Sequence, residues 1–502
     1  MASIATTADG RLSLSWQWIA RALSWPVAAI AVIAHTSGGH PGFSSQALLC
    51  AGLIGALTVL AIGYVRPREL PVIQLILLRI YLAMGFPVFF APRMHTALGS
   101  LRLSSRALDL ATLGALAFTC SVVITALLVR RGARRIGRDV SKFLDRQGEY
   151  DGRDTIAARI LAAVSIAIYL IIASSPGGQK VFGSFGYVAT LLGGPAISLG
   201  LLFWDMEQRG NYVSRLLFWL ALLLLTLAGL STGMLGAALE PGIDTVIFLW
   251  AVRGRLPILM VVGAVVVLIG LNQAKHVYRS LSWRATQSVS LLQRAENWTI
   301  AVQQTYSGNA SMAIEASADS ATSRLSTLLA VAQIFEWVPA RFSHAGAKAW
   351  LEMPLQYVPR LLWPEKPSPV KEFNNRYTTT FQLQTYRGTQ GATFNLPSVG
   401  DGYWRLGWLG IFLEGIFLGL LAGLYGGMAT PSSRALIILG TGFLFSTGPE
   451  CYVLNVLGSQ PQYWIAMAAI LLLAQNLPAL FSGAPKTKLV RERPRAPLRV
   501  FK

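Results

Sequence analysis

The chain has 502 residues, of which 13% are charged and 53% hydrophobic, and its 43 Lys and Arg residues stand against 23 Asp and Glu. Soluble proteins carry about a quarter charged residues, so this composition, with a mean hydropathy of +0.50, excludes an ordinary soluble enzyme and indicates a polytopic membrane protein. The net charge of +20 does not indicate nucleic-acid binding, because no hydrophilic stretch is long enough to form a soluble nucleic-acid-binding domain.

The apolar stretches predict an all-α fold. A membrane-spanning helix needs about 20 mostly apolar residues, and by this criterion we expect an integral membrane protein with about 12 transmembrane helices and one long periplasmic loop region containing short helices. The first apolar stretch lacks a convincing small-residue cleavage site and is predicted to be retained as a span. The predicted spans lie near 17–35, 45–65, 70–91, 107–129, 156–175, 183–204, 213–236, 241–252, 256–272, 404–427, 435–450 and 461–482.

The basic residues predict the orientation. The densest positive segment covers 130–154, and a second one is the tail 483–502. With twelve spans both segments fall on the side of the N-terminus, which the positive-inside rule makes cytoplasmic. We therefore expect a bacterial inner-membrane protein whose two termini lie in the cytoplasm. Its predicted parts are a membrane domain at 1–271 with about nine spans, a periplasmic region at 272–403, a membrane domain at 404–482 with about three spans, and a basic cytoplasmic tail at 483–502.

The predicted periplasmic region contains the chain's only long polar stretch, 353–410, where charged and aromatic residues occur together without an apolar period. The segment before it is predicted to be helical, because Leu325, Leu328, Leu329 and Ala332 have the spacing of one helix face. Within 353–410, repeated prolines break regular structure. We expect the membrane spans to hold these two segments at one face of the bilayer.

Motifs for nucleotide and metal chemistry are missing from the sequence, which has no phosphate-binding glycine loop, no HExxH, no GxSxG, no paired CxxC and no DxD-like pair in a polar loop. The three cysteines, Cys50, Cys120 and Cys451, all fall in apolar stretches and indicate neither a disulfide framework nor a zinc site. We therefore expect an activity that needs no cofactor, neither a nucleoside triphosphate nor a metal ion.

The predicted periplasmic region carries many basic residues, although the positive-inside rule disfavours positive charge on that side of the membrane. An anionic ligand is one explanation, because Arg binds phosphate bidentately and cannot lose its proton. The alternative is that these residues are solvated or pair with nearby Asp and Glu residues. The basic residues in question are Arg279, Arg284, Arg294, Arg324, Arg341, Lys348, Arg360, Lys366, Lys371, Arg376, Arg387 and Arg405.

A general base could come from one of four residues. His344 is one candidate, because a histidine side chain, with an ordinary pKa of about 6.5, is suited to accepting a proton from a hydroxyl group; the alternative is a surface residue. Glu336, Glu372 and Asp401 are the alternatives.

Aromatic residues of the same region, Trp363 and Tyr403 among them, could stack on sugar rings or could mark a membrane interface. Within the spans, Arg79 and Glu414 are costly to bury and must face partners or water, and we expect them to pair with one another.

The order of these features resembles the Wzy-type polymerases, which join oligosaccharide repeat units of O-antigens and exopolysaccharides. The most specific part is the Pro-Arg-x-x-Trp-Pro-x-Lys-Pro run within 358–367. The others are Ser-Arg-Leu at 323–325, Gly-Asp-Gly-Tyr at 400–403 and Arg-Leu-Gly-Trp-Leu-Gly at 405–410, which leads into a span. The resemblance covers about residues 320–425.

The resemblance implies a metal-independent membrane glycosyltransferase with its active site on the periplasmic side. Its substrates would be undecaprenyl-pyrophosphate-linked oligosaccharides, and its partners would be the lipid bilayer and the chain-length regulator and flippase of the same pathway, with no nucleic acid. By position, Arg324, Arg360 and Lys366 would contact the pyrophosphate. Arg376, Arg405, Trp363 and Tyr403 would be further substrate contacts, and the base would be His344, Glu336, Glu372 or Asp401.

Two other functions remain open from the sequence. An O-antigen ligase uses the same donor but transfers the glycan to lipid A–core. A polysaccharide flippase or transporter usually has charged spans and short loops, whereas the predicted spans here carry few charges and one predicted external region is longer than a hundred residues.

Overall fold

The structure is a computed structural model that describes residues 22, 24, 45–63, 70–89, 103–144, 152–174, 194–209, 212–253, 256–282, 290–307, 327–358, 363, 365, 369–381, 396–428, 440–444, 453 and 456. All regular structure within these ranges is helical, as predicted. The α-helices are α1 (Ser45–Gly63), α2 (Val72–Ile80), α3 (Ser105–Leu144), α4 (Gly152–Ser174), α5 (Pro195–Arg209), α6 (Tyr212–Ser231), α7 (Leu235–Arg253), α8 (Ile258–Ser282), α9 (Leu291–Tyr306), α10 (Leu328–Trp337), α11 (Lys348–Leu351), α12 (Pro369–Thr380), α13 (Ser398–Leu406) and α14 (Trp408–Met428).

Seven helical segments within the described ranges are long and apolar enough to cross a membrane, which agrees with a helical membrane protein. They are Ser45–Gly63, Val72–Phe89, Ser105–Asp139, Tyr212–Ser231, Leu235–Val252, Ile258–Ser282 and Trp408–Met428. Ala158–Ala173 and Leu328–Trp337 are shorter apolar helices. The predicted span near 461–482, most of those near 17–35 and 435–450, and part of that near 183–204 lie outside the described residues.

Three helix boundaries differ from the predicted ones. α7 begins at Leu235 and continues through Pro241, so the short span predicted at 241–252 becomes a full one. α8 continues to Ser282, ten residues beyond the predicted end of its span. The span predicted to begin at 404 is divided at Gly407, where α13 ends and α14 begins. Hydropathy cannot locate such a break, because apolar residues stand on both sides of it.

α3 and α14 run parallel and in close contact, and this pair is the axis of one half of the molecule. α14 carries glycine at every fourth position from Gly415 to Gly427. A Cβ atom on Gly419 would lie 2.6 Å from the carbonyl oxygen of Val122, and one on Gly423 would lie 2.7 Å from that of Ala126. The glycine stripe therefore lets the two backbones touch, as small residues do between membrane helices.

The helices α4 to α9 form the other half, which shares a continuous apolar core with the first. α6 and α7 cross closely at Gly229, where a Cβ atom would lie 2.4 Å from the carbonyl oxygen of Ala237. Side chains of α8 and α9 bind the C-terminal end of α6. The Tyr278 hydroxyl donates to the carbonyl oxygen of Ser231 at 2.6 Å, and the Trp298 indole N–H donates to that of Leu230 at 2.9 Å.

The short helices α10 and α13 pack on the first turns of α3 and α14. Phe335 of α10 lies where a Cβ atom on Gly114 of α3 would meet it at 2.9 Å. The Ser104 hydroxyl, just before α3, donates to the Glu336 carboxylate. The opposite end of α3 contacts Met428, since a Cβ atom on Gly137 would lie 2.5 Å from the Met428 Cα. The polar segments that the sequence singled out are thus attached to one end of the α3–α14 pair.

Candidate functional site

A cluster of aromatic side chains joins α10, α12 and α13, and we call it the aromatic cluster: Trp337, Tyr377, Phe381 and Trp404. Its ring centroids are 6.0 Å apart for Trp337 and Phe381 and 5.1 Å apart for Phe381 and Trp404. All four rings are buried. The Gln333 amide extends the contact by donating to the carbonyl oxygen of Phe381 at 3.0 Å. The cluster gives the polar region of the sequence its own apolar core.

α13 and α14 form a tight helical hairpin around Gly407. Gly407 has φ of +63°, a conformation that L side chains rarely adopt. A Cβ atom on Gly410 would lie 1.9 Å from the carbonyl oxygen of Gly402, so the two helices touch backbone to backbone. α13 therefore lies alongside the first two turns of α14, inside the helical bundle.

This hairpin buries a charged group of three residues. Arg405 Nε donates to Asp401 Oδ2 at 2.8 Å, and the two side chains are 1% and 0% exposed. Glu414 of α14 is also buried and lies within electrostatic reach of both. Its carboxylate oxygens make no direct hydrogen bond in good geometry with the described part of the chain. With both carboxyl groups ionised and the Arg405 guanidinium protonated, the three side chains carry a formal charge of −1.

His344 lies against the C-terminal end of α13. Its Nδ1 is 3.1 Å from the carbonyl oxygen of Tyr403 and 3.3 Å from that of Trp404. A carbonyl oxygen can only accept, so Nδ1 carries the proton and Nε2 of the neutral ring keeps its lone pair. The side chain is exposed. Nε2 is therefore free to accept a proton.

The backbone around His344 is bound to the same helix end. The Ala345 N–H donates to the carbonyl oxygen of Trp404 at 2.8 Å, and the Gly346 N–H donates to that of Arg405 at 3.2 Å. These carbonyls belong to the last turn of α13 and have no partner within the helix. The loop that carries the imidazole is thereby fixed to α13, and α13 is fixed in turn by its buried ion pair.

Exposed cations surround the aromatic cluster. Arg341 lies over the Trp337 ring at 5.1 Å and Arg376 over the Trp404 ring at 6.0 Å. Neither guanidinium forms an ion pair with a carboxylate in the described structure. Lys348 is 84% exposed and has only a long contact, 3.7 Å, with Glu352. These three cations are available to an anionic ligand, whereas Arg405 is not, because it is buried against Asp401.

Two tyrosines of this region keep their protons. Burial raises the pKa of Tyr377 well above its ordinary value, and the nearby Asp401 charge raises it further. Burial also raises the pKa of Tyr403. The Tyr403 ring stacks on Phe335, with centroids 3.8 Å apart. Both phenols are neutral at physiological pH, so neither can act as a base, and packing against Phe335 covers one face of Tyr403.

The structure brings some of the predicted site residues together. His344, Tyr403, Arg376, Asp401 and Arg405 all lie on or against α12 and α13. Glu336 of α10 is instead bound to Ser104, just before α3. Trp363 is 39% exposed, so its ring is available for stacking. Arg324, Arg360, Lys366 and the Glu372 side chain lie outside the described residues.

Sequence reasoning missed Ser398, and it noted Gly402 and Gly410 only as parts of motifs, without a structural role. The Ser398 hydroxyl accepts a hydrogen bond from the Val453 N–H at 3.0 Å and faces Glu414. Gly402 and Gly410 had a visible signal, since glycines at 402, 407 and 410 flank the start of a predicted span.

Arg79 and Glu414, predicted to pair, have described contacts of their own: Arg79 donates to the carbonyl oxygen of Leu444, and Glu414 lies beside Asp401.

Comparison with known proteins identifies one protein family. The model of that family, described as a domain of unknown function (DUF8712), matches residues 153–447, more than half of the chain. No curated protein and no solved structure matches the sequence. The matched range begins in α4 and includes α13 and α14, so it takes in the whole aromatic cluster and its cations.

Proposed function

The chain belongs to the DUF8712 family, for which no function is known, and from its own residues we propose that it is a membrane glycosyltransferase. The proposed reaction joins undecaprenyl-pyrophosphate-linked oligosaccharide repeat units into O-antigen or exopolysaccharide on the periplasmic face of the inner membrane. A hydroxyl group of one repeat unit attacks the anomeric carbon of the glycan on its carrier. The bond from that carbon to the pyrophosphate breaks, and the lipid pyrophosphate leaves as an anion.

The observation that carries the proposal is the geometry of His344. Of the four candidate bases, Asp401 is buried in an ion pair, Glu336 is bound to Ser104, and the Glu372 side chain is not described. His344 is exposed, and its Nδ1 is committed to α13 carbonyls, which leaves Nε2 as the acceptor. We assign to Nε2 the proton of the attacking hydroxyl, a contribution typically worth about 10²–10⁴ in rate.

The exposed cations support the leaving-group half of the reaction. Pyrophosphate is already a good leaving group, so catalysis depends on positioning and on charge stabilisation. Arg341 and Arg376 supply fixed positive charge next to aromatic rings, and Lys348 is a further exposed cation. Arg324, Arg360 and Lys366 are proposed to complete the pyrophosphate contact. Trp363 is exposed and is proposed to stack on a sugar ring.

The position of this region at one end of α3 supports a site at a membrane face. Arg135, in the basic segment near the other end of α3, is about 45 Å from Ser105 at about 1.5 Å per residue, and the hydrocarbon core of a bilayer is about 30 Å thick. If the basic end is cytoplasmic, as the positive-inside rule requires, the aromatic cluster faces the periplasm.

Deletion of the gene distinguishes the candidate functions when surface glycan is examined on a gel. A single repeat unit still attached to its acceptor is the outcome expected for a polymerase. Complete absence of attached glycan would instead identify a ligase, and repeat units trapped inside the cell would identify a flippase.

Complementation of that deletion tests the site. Arg360→Ala should abolish polymer at a normal protein level, whereas Arg135→Ala, at an exposed arginine in the basic segment of α3, should leave it intact. Polymer of normal amount and length from Arg360→Ala would make that charge a surface feature.

A further inference from the structure

α7 carries two acidic side chains inside a membrane-spanning segment, far from the aromatic cluster. Glu240 and Asp244 are one helical turn apart, so they lie on the same face. At about 1.5 Å per residue they are about 8 Å and about 14 Å along the helix from Leu235. This places Asp244 near the middle of a hydrocarbon layer about 30 Å thick.

Asp244 is a fully buried acid. Its side chain is 0% exposed, and neither carboxylate oxygen has a hydrogen-bond partner in the described structure. The nearest charged group that acts on it is Glu240, also an acid. A buried carboxylate that is ionised and unpaired is very unfavourable, and the half-buried Glu240 carboxylate beside it makes ionisation of both groups more unfavourable still. The pair therefore requires a positively charged ligand.

The backbone hydrogen bonding of α7 is interrupted between the two acids. Pro241, between the two acids, has no N–H group, so the carbonyl oxygen of Ala237 loses its usual helical partner. The Tyr169 hydroxyl of α4 approaches that oxygen at 3.4 Å, and Tyr169 also interacts electrostatically with both Glu240 and Asp244. Two carboxyl groups, a phenol and a freed carbonyl thus lie together between α4 and α7.

The charged groups on the surrounding helices are engaged elsewhere. Asp205 of α5 is bound by Arg159 of α4 at 2.8 Å. Lys275 of α8 donates to Asn272 at 2.5 Å, and Arg279 of α8 donates to the carbonyl oxygen of Gly233 at 3.0 Å. His276 of α8 is exposed, and Arg215 of α6 lies at the other end of α7, beside Glu207. Among the described residues, no basic group is seen to act on Glu240 or Asp244.

We propose that Glu240 and Asp244 form a proton-binding site within the membrane, in which the two carboxyl groups hold at least one proton between them. A proton fits this pair better than a metal ion, because no group of three or more His, Cys, Asp or Glu side chains suited to a metal occurs in the described ranges. The site is separate from the proposed glycosyl transfer, and neither depends on the other.

A hydrophobic carbodiimide tests the site, since it reacts with a protonated carboxyl group in an apolar environment to give a stable adduct. The full-length protein is treated in membranes over a range of pH, and the modified peptides are identified by mass spectrometry. We expect modification of Glu240 or Asp244 at neutral pH, decreasing as the pH rises. Glu296, exposed on α9, is the matched carboxylate that should remain unmodified.

Glu240→Gln tests whether the carboxyls act as a pair. With the Glu240 charge removed, the fully buried Asp244 gives up its proton more readily, so half-maximal modification of Asp244 should move down by about one pH unit or more. No modification of either residue in the wild-type protein, modification independent of pH, or an unchanged Asp244 profile in Glu240→Gln would each overturn the proposal. Protection by sodium ions at constant pH would overturn it as well, in favour of a sodium site.

Discussion

At the scale of single residues, hydrogen bonding to one helix end determines what His344 can do. Sequence alone leaves four candidate bases, because side-chain chemistry does not distinguish an exposed imidazole from a buried or bonded carboxylate. The contacts of Nδ1 with two carbonyl oxygens of α13 select the tautomer whose Nε2 is free. In catalytic histidines, the hydrogen bond made by one ring nitrogen determines whether the other can accept a proton.

His344→Asn should reduce polymer formation by about 10²–10⁴-fold with little change in protein level or thermal stability. Asn keeps an N–H group that can donate to α13 but has no group able to accept the hydroxyl proton. Polymer formation is measured in the complemented deletion strain. His276→Asn, at the exposed histidine of α8, is the control, and wild-type polymer from His344→Asn would remove His344 from the mechanism.

Arg405 and Asp401 were predicted to act on substrate, but both are fully buried and bonded to each other, which favours a positioning role. Arg405→Met should lower the thermal midpoint in detergent strongly, because it leaves Asp401 and Glu414 as two uncompensated acids. Losing one partner of a buried pair costs about 3–5 kcal/mol.

Asp401→Asn should cost less than Arg405→Met, because Glu414 remains beside Arg405 and can take over part of the pairing. The same thermal measurement compares the two variants. An equal or larger loss in Asp401→Asn would show that Glu414 does not compensate.

At the scale of elements, glycine spacing explains how α3 and α14 pack. The hydropathy of Trp408–Met428 predicts a span but not its partner. The glycines at 415, 419, 423 and 427 show which face can approach another backbone, and the structure shows that α3 occupies that face. The pattern is visible in the sequence, whereas the choice of α3 among the other helices is not.

Gly419→Ala should destabilise the protein by about 1–3 kcal/mol, because its Cβ would lie 2.6 Å from the Val122 carbonyl oxygen. Two backbones would have to separate to make room. Gly263→Ala in α8 is the matched control, since nothing lies within 4 Å of its added Cβ, and alanine favours a helix by up to about 1 kcal/mol.

Thermal unfolding in detergent compares the two glycine variants. Similar thermal midpoints for both would mean that the α3–α14 contact is looser than the structure indicates.

At the scale of the whole molecule, the two ends of α3 carry opposite features. One end bears the aromatic cluster and its cations, and the other runs into the basic segment at 130–144. A helix of 40 residues is about 60 Å long, which is more than a bilayer requires. In the proposed arrangement, in which α3 crosses the membrane, its two ends therefore project on opposite sides.

Cysteine labelling in cells tests this arrangement. In a variant without the native cysteines, Lys348→Cys should react with a membrane-impermeant maleimide once the outer membrane is permeabilised. Arg135→Cys should react only after lysis. Both positions are exposed, so access to the reagent is limited by the membrane. Labelling of both positions before lysis, or the reverse order, would contradict a periplasmic aromatic cluster.

The sequence by itself determined that this is a helical membrane protein, because composition and the length of apolar stretches are sufficient to recognise spans. It also located the polar region where a candidate site could lie. Only the tertiary structure decided which of those residues can meet a ligand. Burial and pairing depend on contacts between distant segments, such as α12 with α13 or α4 with α7, and one-dimensional patterns do not contain them. For that reason Arg405 is assigned to the interior, Arg376 to the surface, and the Glu240–Asp244 pair to a site of its own.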